Sequence, residues 1–371
     1  MPNDAAVIPD GSSDPFLDVT RLTPSAVVTA AAAAQAVSDS FGLTGELGRL
    51  PGEADDNFAL QAGDGQRYVV KVAHSQADPG VVGLQVRVLR HLESVAPELP
   101  VPRVASAVDG QPSAVVATGP LQGRLVHVLT YLDGQLLRSV PASSALRRAV
   151  GSTLAALGAA LRGFADPLAD RPLLWDIAQL PRLRPLVAEL PPGPAADQLD
   201  ELIGRFTAEV APRLAAQRSQ LVHNDFSPDN LLIAAGASRV CGIIDFGDVT
   251  VTALVNDVAV AAANLLGDGG GPDFLLPAVD LIRSYHATAP LTADELDLLP
   301  ELMLARIVAR LAISQWRAVR FPENRAYILR NTPAALAHLS RLRTIGVDEI
   351  AARIHDACPP EGACIPEEWH A

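Results

Sequence analysis

Hydrophobic and polar positions first alternate as they do in strands. NFALQA (57–62) and RYVVKVA (67–73) flank Gly63-Asp64-Gly65, which predicts two antiparallel strands joined by a tight turn. Val82, Val86, Leu89 and Leu92 then recur at helical spacing and predict a helix over 81–94. The prolines of PELPVPRV (97–104) stop that helix, because proline lacks the N–H that would continue it. Two more strand-like runs follow, SAVVAT (113–118) and LVHVLTYL (125–132). Ahead of these elements, 25–40 reads as an Ala/Val helix, and 1–24, rich in Pro, Asp, Gly and Ser, as a loose arm.

After Asp133-Gly134 the period changes. Residues 143–164 and 195–216 carry long helical patterns, separated by a proline-rich stretch at 181–194. LVHNDFSPDNLLIA (221–234) and VCGIIDFGDV (240–249) set short apolar strands beside polar loops, and helices dominate again from 253 to 343. The pattern predicts an α+β chain of two lobes: a small one over 25–132 with an antiparallel sheet, and a larger, mainly helical one over 133–345. A C-terminal helix and tail occupy 346–371. No repeat at the period of solenoid proteins is present.

Composition narrows the class. Hydrophobic residues make up 49% and charged ones 19%, as in a globular protein. A formal net charge of −13 argues against a nucleic-acid or anionic-membrane partner. No run is long and apolar enough for a membrane span, and the N-terminus lacks the basic start and apolar core of a signal peptide, so a cytoplasmic location is expected. Cys241, Cys358 and Cys364 form no paired metal-ligand spacing.

The chemistry concentrates in two loops. One reads His223-Asn224-Asp225-Phe226-Ser227-Pro228-Asp229-Asn230; the other, Asp245-Phe246-Gly247-Asp248, begins fifteen residues later. Phosphoryl transfer needs a carboxylate to orient the attacking hydroxyl and accept its proton, and oxygen ligands for Mg²⁺. Asp225 is the candidate base; Asn230 and Asp245 are the candidate metal ligands. Lys71, inside the strand YVVKV, occupies the strand position from which a kinase lysine reaches the nucleotide phosphates. The segment that should cover those phosphates, Leu50 to Phe58, has one glycine and three acids in place of a Gly-rich loop.

These motifs resemble those of the aminoglycoside phosphotransferase and choline kinase superfamily, and most resemble its hydroxylysine kinase branch. Asp55-Asp56-Asn57-Phe58, Val128 to Leu132 with Gly134, Leu174-Trp175-Asp176, Gly242 to Asp248, and Arg306 with Phe321-Pro322-Glu323-Asn324 and Tyr327 carry the likeness over about 45–340. The resemblance implies a protein-kinase-like bilobal fold, ATP or GTP as donor and Mg²⁺ as cofactor. It implies Lys71 and Asn57 at the phosphates, and Thr130, Tyr131 and Leu132 at the base. His223 and Asp257 would brace the loop of Asp225. The helix glutamate that should pair with Lys71 is missing: its position aligns with Gly83, and Gln85, Glu53 or another acid is left to take its place.

The implied acceptor is a hydroxylated amine or amino acid resembling hydroxylysine, with Asp248 meeting its amine and Arg306, or Arg310 one turn on, its carboxylate. Two other readings stay open: an antibiotic O-phosphotransferase of the aminoglycoside type, and a weak pseudokinase or nucleotide-binding regulator.

Overall fold

The computed structural model describes residues 27–52, 55–141, 143–236, 239–267 and 273–359. The expected arm at 1–24, Glu53 and Cys364 lie outside the described residues. The first lobe opens with α1 (Ala30–Phe41), capped by the Thr29 hydroxyl, which accepts from the Ala32 N–H. Strands β1 (Gly45–Leu50), β2 (Asp56–Ala62) and β3 (Arg67–Val72) follow, then α2 (Pro79–Val95), β4 (Ala114–Val115) and β5 (Leu125–Thr130). They form one five-stranded sheet in the order β1-β2-β3-β5-β4. Strand β1 was absent from the sequence-based expectation, because GELGRL has only two well-spaced leucines and no alternating apolar face. SAVVAT contributes only the two residues of β4.

Period-2 alternation gives the sheet two faces. Phe58, Leu60, Val70, Val72, Val126 and Val128 are buried against α1, whose Ala33, Ala36, Val37 and Phe41 recur on one stripe. The opposite face carries a cross-strand row, Asn57–Lys71–His127, fixed by the β2–β3 and β3–β5 registers. Helix α2 packs away from this small core: Leu84, Val88, Leu89 and Leu92 join the larger core of the second lobe.

The second lobe runs through β6 (Gln135–Leu136), α3 (Ser144–Leu161), α4 (Arg184–Ala188), α5 (Pro194–Arg205) and α6 (Ala211–Ala215). The pattern expected as one helix over 195–216 is interrupted by a π-helical turn, Phe206–Val210. Pro212 has no N–H to give the turn before it, which is where such bulges arise. Strands β7 (Ser219–Val222), β8 (Leu231–Ile233), β9 (Val240–Ile243) and β10 (Thr250–Ala253) lead into α7 (Leu254–Asn264), α8 (Leu276–Thr288) and α9 (Ala293–Arg320). The chain closes with α10 (Arg325–Ile328), α11 (Thr332–Ile345) and α12 (Val347–Ala357). Helix α9 starts at a capping box of Thr292 and Glu295 and is buried along most of its length. Among the described residues no helix is long and apolar enough to cross a membrane.

His127 is buried under Lys71, and burial with the lysine's charge pulls its imidazole from the usual 6.5 to about 3. Between those two pH values the unfolded chain binds a proton that the native state does not. The penalty is absent above 6.5 and grows by about 1.4 kcal/mol per pH unit below it. His127→Gln is expected to flatten the loss of stability between pH 7.5 and pH 5, read by urea unfolding at both. An unchanged pH slope would show that His127 charges in the native protein.

Candidate active site

The two motif loops meet because their flanking strands pair crosswise. β7 pairs with β10 and β8 pairs with β9, so the loop between β7 and β8 lies against the loop between β9 and β10. A backbone bond from Ile244 N–H to the Asn230 carbonyl (2.9 Å) ties the loops directly. His223 adds a second tie: its Nδ1 accepts from the Asp225 N–H (3.3 Å), so Nε2 carries the proton and donates to the Ile244 carbonyl (3.2 Å). The ring also stacks at a tilt on Phe246, centroids 4.9 Å apart. Asp257, on α7, accepts the backbone N–H groups of His223 (3.1 Å) and Asn224 (2.8 Å). Burial raises its pKa, and His223 and those two bonds oppose the rise. His223 and Asp257 therefore brace the loop without facing the cleft.

Asn224 bends the loop at φ +65°, in the left-handed region. It is fully buried, and neither its Nδ2 nor its Oδ1 finds a partner among the described residues. Two unfavourable terms thus coincide at one residue, a strained backbone and an orphaned amide. Asn224→Gly is expected to stabilise the protein by about 1 kcal/mol, seen as a higher midpoint in thermal or denaturant unfolding. A lower midpoint would mean that the buried amide has a partner in solution.

Asp225 stands mostly buried at the mouth of this loop, its side chain 30% exposed. Its Oδ2 accepts from Asn230 Nδ2 (2.7 Å) and its Oδ1 from Arg306 Nη2 (3.1 Å). Burial raises its pKa; Arg306 pulls it down, and Asp248 and Asp245 add to the rise. Asn230 Nδ2 also bonds the Asp225 carbonyl (3.0 Å), so both partners of that nitrogen are acceptors and the amide oxygen is left as the outward atom. Asp245, at φ +63°, begins a short turn in which its Oδ1 accepts from the Gly247 N–H (3.3 Å). Asn230 and Asp245 both line the cleft. Two oxygen donors suit a hard divalent cation that takes its other ligands from phosphate and water.

The cleft between the lobes encloses about 700 Å³ and is lined by Asn57, Lys71, Thr130, Tyr131, Leu132, Asp225, Asn230, Asp245, Asp248 and Arg306. The residues singled out from both halves of the sequence thus share one cavity, apart from the two bracing groups. At the expected base-binding segment, Thr130 gives its N–H to the Arg103 carbonyl (2.8 Å) and Tyr131 to the Arg67 carbonyl (2.9 Å). Both donors are thus engaged within the protein, and Leu132 is the next residue of the segment on the cleft wall.

Arg306, expected at a substrate carboxylate, lines the cleft and is also engaged by protein groups. It is only 5% exposed, its Nη1 donates to the Trp175 carbonyl (2.9 Å), and its guanidinium lies 5.4 Å from the Trp175 ring centroid. Its Nη2 is held by Asp225, so the guanidinium is already paired where it meets the cleft. Arg310, one turn along α9, lines the cleft and donates to the neutral Asn264 Oδ1 (3.1 Å). No carboxylate pairs with it among the described residues, and burial and Arg306 lower its pKa. Arg330 is nearby, its guanidinium 3.9 Å from the Tyr327 ring centroid. Asn264, Arg330 and the wall from α11 carried no sequence signal, since nothing in their spacing links them to the motif loops; Tyr327 of α10, also on the cleft wall, was visible only through the family resemblance. Trp316 is core, with its indole N–H on Glu189 Oε2 (2.9 Å), whereas Trp175 forms part of the cleft wall.

Comparison with known proteins places this geometry among phosphotransferases. The model of the family described as "Phosphotransferase enzyme family" matches residues 46–296. The chain is 26% identical over 332 residues to hydroxylysine kinase of Danio rerio, covering 84% of this chain and 91% of that protein. It is 27% identical over 318 residues to homoserine kinase of Sinorhizobium fredii, covering 81% and 87%. Among solved structures, an amicoumacin kinase in complex with AMP-PNP and Ca²⁺ superposes with a TM-score of 0.60 at 15% identity, covering 85% of this chain and 92% of that one. That likeness is one of fold, the bilobal kinase-like arrangement described above.

Proposed function

Because the chain belongs to the phosphotransferase enzyme family and is a small-molecule alcohol kinase, we propose that it phosphorylates the side-chain hydroxyl of a hydroxylated amino acid, with ATP or GTP as donor. Asp225 orients the acceptor hydroxyl and takes its proton as the oxygen attacks the γ-phosphorus. Lys71 and Asn57 meet the phosphates from the sheet side, and the Leu132 backbone meets the base. Asn230 and Asp245 would hold Mg²⁺, which would neutralise charge on the phosphates.

The observation that carries the acceptor class is Arg310. A guanidinium in a protein interior without a carboxylate partner is a ready site for an anion. This one lies one helical turn from the arginine that touches Asp225. An α-carboxylate held there, with the amine towards Asp248, leaves a side-chain hydroxyl to reach Asp225. Homoserine and hydroxylysine, the acceptors named for two relatives, both have this form. An aminoglycoside has no carboxylate to offer.

The test is release of nucleoside diphosphate over hydroxylysine, homoserine, ethanolamine, choline and several aminoglycosides, each with ATP and GTP. Amino-acid acceptors should turn over and the carboxylate-free amines should not. Arg310→Met should raise the acceptor KM by about 10- to 100-fold, the worth of a charged hydrogen bond, and leave the nucleotide KM unchanged. Turnover of an aminoglycoside with none for any amino acid would defeat the proposal. Nucleotide binding without turnover of any acceptor above an Asp225→Ala control would make the protein a regulator.

A further inference from the structure

Kinase lysines of this kind are held by a glutamate from the helix behind them, and this chain lacks it. Helix α2 turns Gln85 and Leu89 to the cleft, neither of them acidic. Its one acid, Glu93, lies 3.8 Å from Arg90 on the outer surface. Gly83 itself lies beside a guanidinium. A Cβ built there would come within 2.7 Å of Arg87 Nη1, and Arg87 itself pairs with Asp166 at 2.6 Å. An acid at 83 would meet Arg87.

We infer that Asp55, from the loop between β1 and β2, is the positioning residue of Lys71. Its Oδ2 lies 3.7 Å from Lys71 Nζ, with both side chains mostly buried. Its Oδ1 accepts the His74 N–H at 3.2 Å, just past the end of β3, so the carboxylate is anchored to the strand that carries the lysine. The residues around it make the anchor stiff. Asp56 draws in Arg49 at 2.9 Å and Arg124 at 3.7 Å, and the Asn57 amide closes the loop on the Pro51 carbonyl at 3.1 Å. The acidic character of this loop then has a purpose: one carboxylate holds the lysine and the next holds the arginines. Because Asp55 belongs to the segment that covers the phosphates, the loop and the lysine are placed together. In a kinase with a helix glutamate, helix movement places the lysine instead.

This inference rests on the reading of Lys71 as a phosphate contact, so the experiment separates the two. ADP and adenosine affinities are measured by calorimetry on the full chain for the native protein, Asp55→Asn, Asp55→Glu, Lys71→Ala and Asp55→Asn/Lys71→Ala, with thermal unfolding of each. Asp55→Asn should weaken ADP by about three- to tenfold and leave adenosine unchanged, because only the phosphates meet Lys71. Asp55→Glu should recover part of the loss. In the Lys71→Ala background the asparagine should have no further effect. Equal weakening of ADP in both backgrounds, or of ADP and adenosine alike, would overturn the role of Asp55 while sparing that of Lys71. Unchanged ADP affinity in Lys71→Ala would remove the lysine reading, and the Asp55 inference with it.

Discussion

Asp225→Asn is expected to lower kcat by about 10²- to 10⁴-fold, the range for loss of a positioned general base, with little change in the KM of nucleotide. The substitution keeps the shape and removes the proton acceptor. It also removes half of an ion pair whose other half, Arg306, is buried. A buried guanidinium without its carboxylate is destabilising in its own right, so the variant should unfold at lower temperature than the native protein. The double variant Asp225→Asn/Arg306→Met should recover stability and not turnover. That split separates the chemical role of Asp225 from its structural one. Recovery of turnover in the double variant, or a kcat within a few-fold of native in the single one, would exclude Asp225 as base.

The second large effect concerns the divalent cation. Chelation with EDTA should abolish turnover, and added Mg²⁺ should restore it. Asp245→Asn should lower kcat by on the order of 10³-fold, several kcal/mol of charge stabilisation at the transferring phosphate. Asparagine is the informative replacement, because it tolerates the left-handed backbone that Asp245 adopts at φ +63°. A binding readout accompanies the kinetics. Nucleotide with Mg²⁺ should raise the unfolding temperature of the native protein, and Asp245→Asn should lose most of that increment. Metal-independent turnover would refute the roles given to both Asn230 and Asp245.

These effects centre on residues that local sequence made visible. Asp225, Asn230 and Asp245 sit in polar loops next to short apolar strands, and both the residue types and the spacing point to phosphoryl transfer. Lys71 was legible because its neighbours alternate, which puts it on the face opposite Val70 and Val72. Less visible were elements with weak periodicity. Strand β1 has too few apolar residues to announce itself and is stabilised by its pairing with β2. The π-helical turn at Phe206–Val210 depends on how a proline is absorbed inside an amphipathic pattern that runs straight through it.

Sequence alone thus determined the fold class, the two lobes and the reaction type, because alternation, helical period and motif spacing are properties of neighbouring residues. Which charges meet was decided only by the tertiary structure. Arg306 and Asp225 are 81 positions apart, yet the fold pairs the arginine expected at the substrate with the candidate base. Arg310 and Arg330 line the cleft with no carboxylate partner among the described residues. Lys71 found its acid in the loop between β1 and β2 and not on the helix, because α2 turns Gln85 and Leu89 to the cleft and packs its apolar face into the large core. Electrostatic partnership depends on distance in space and on burial, and neither is written in the spacing of residues along the chain.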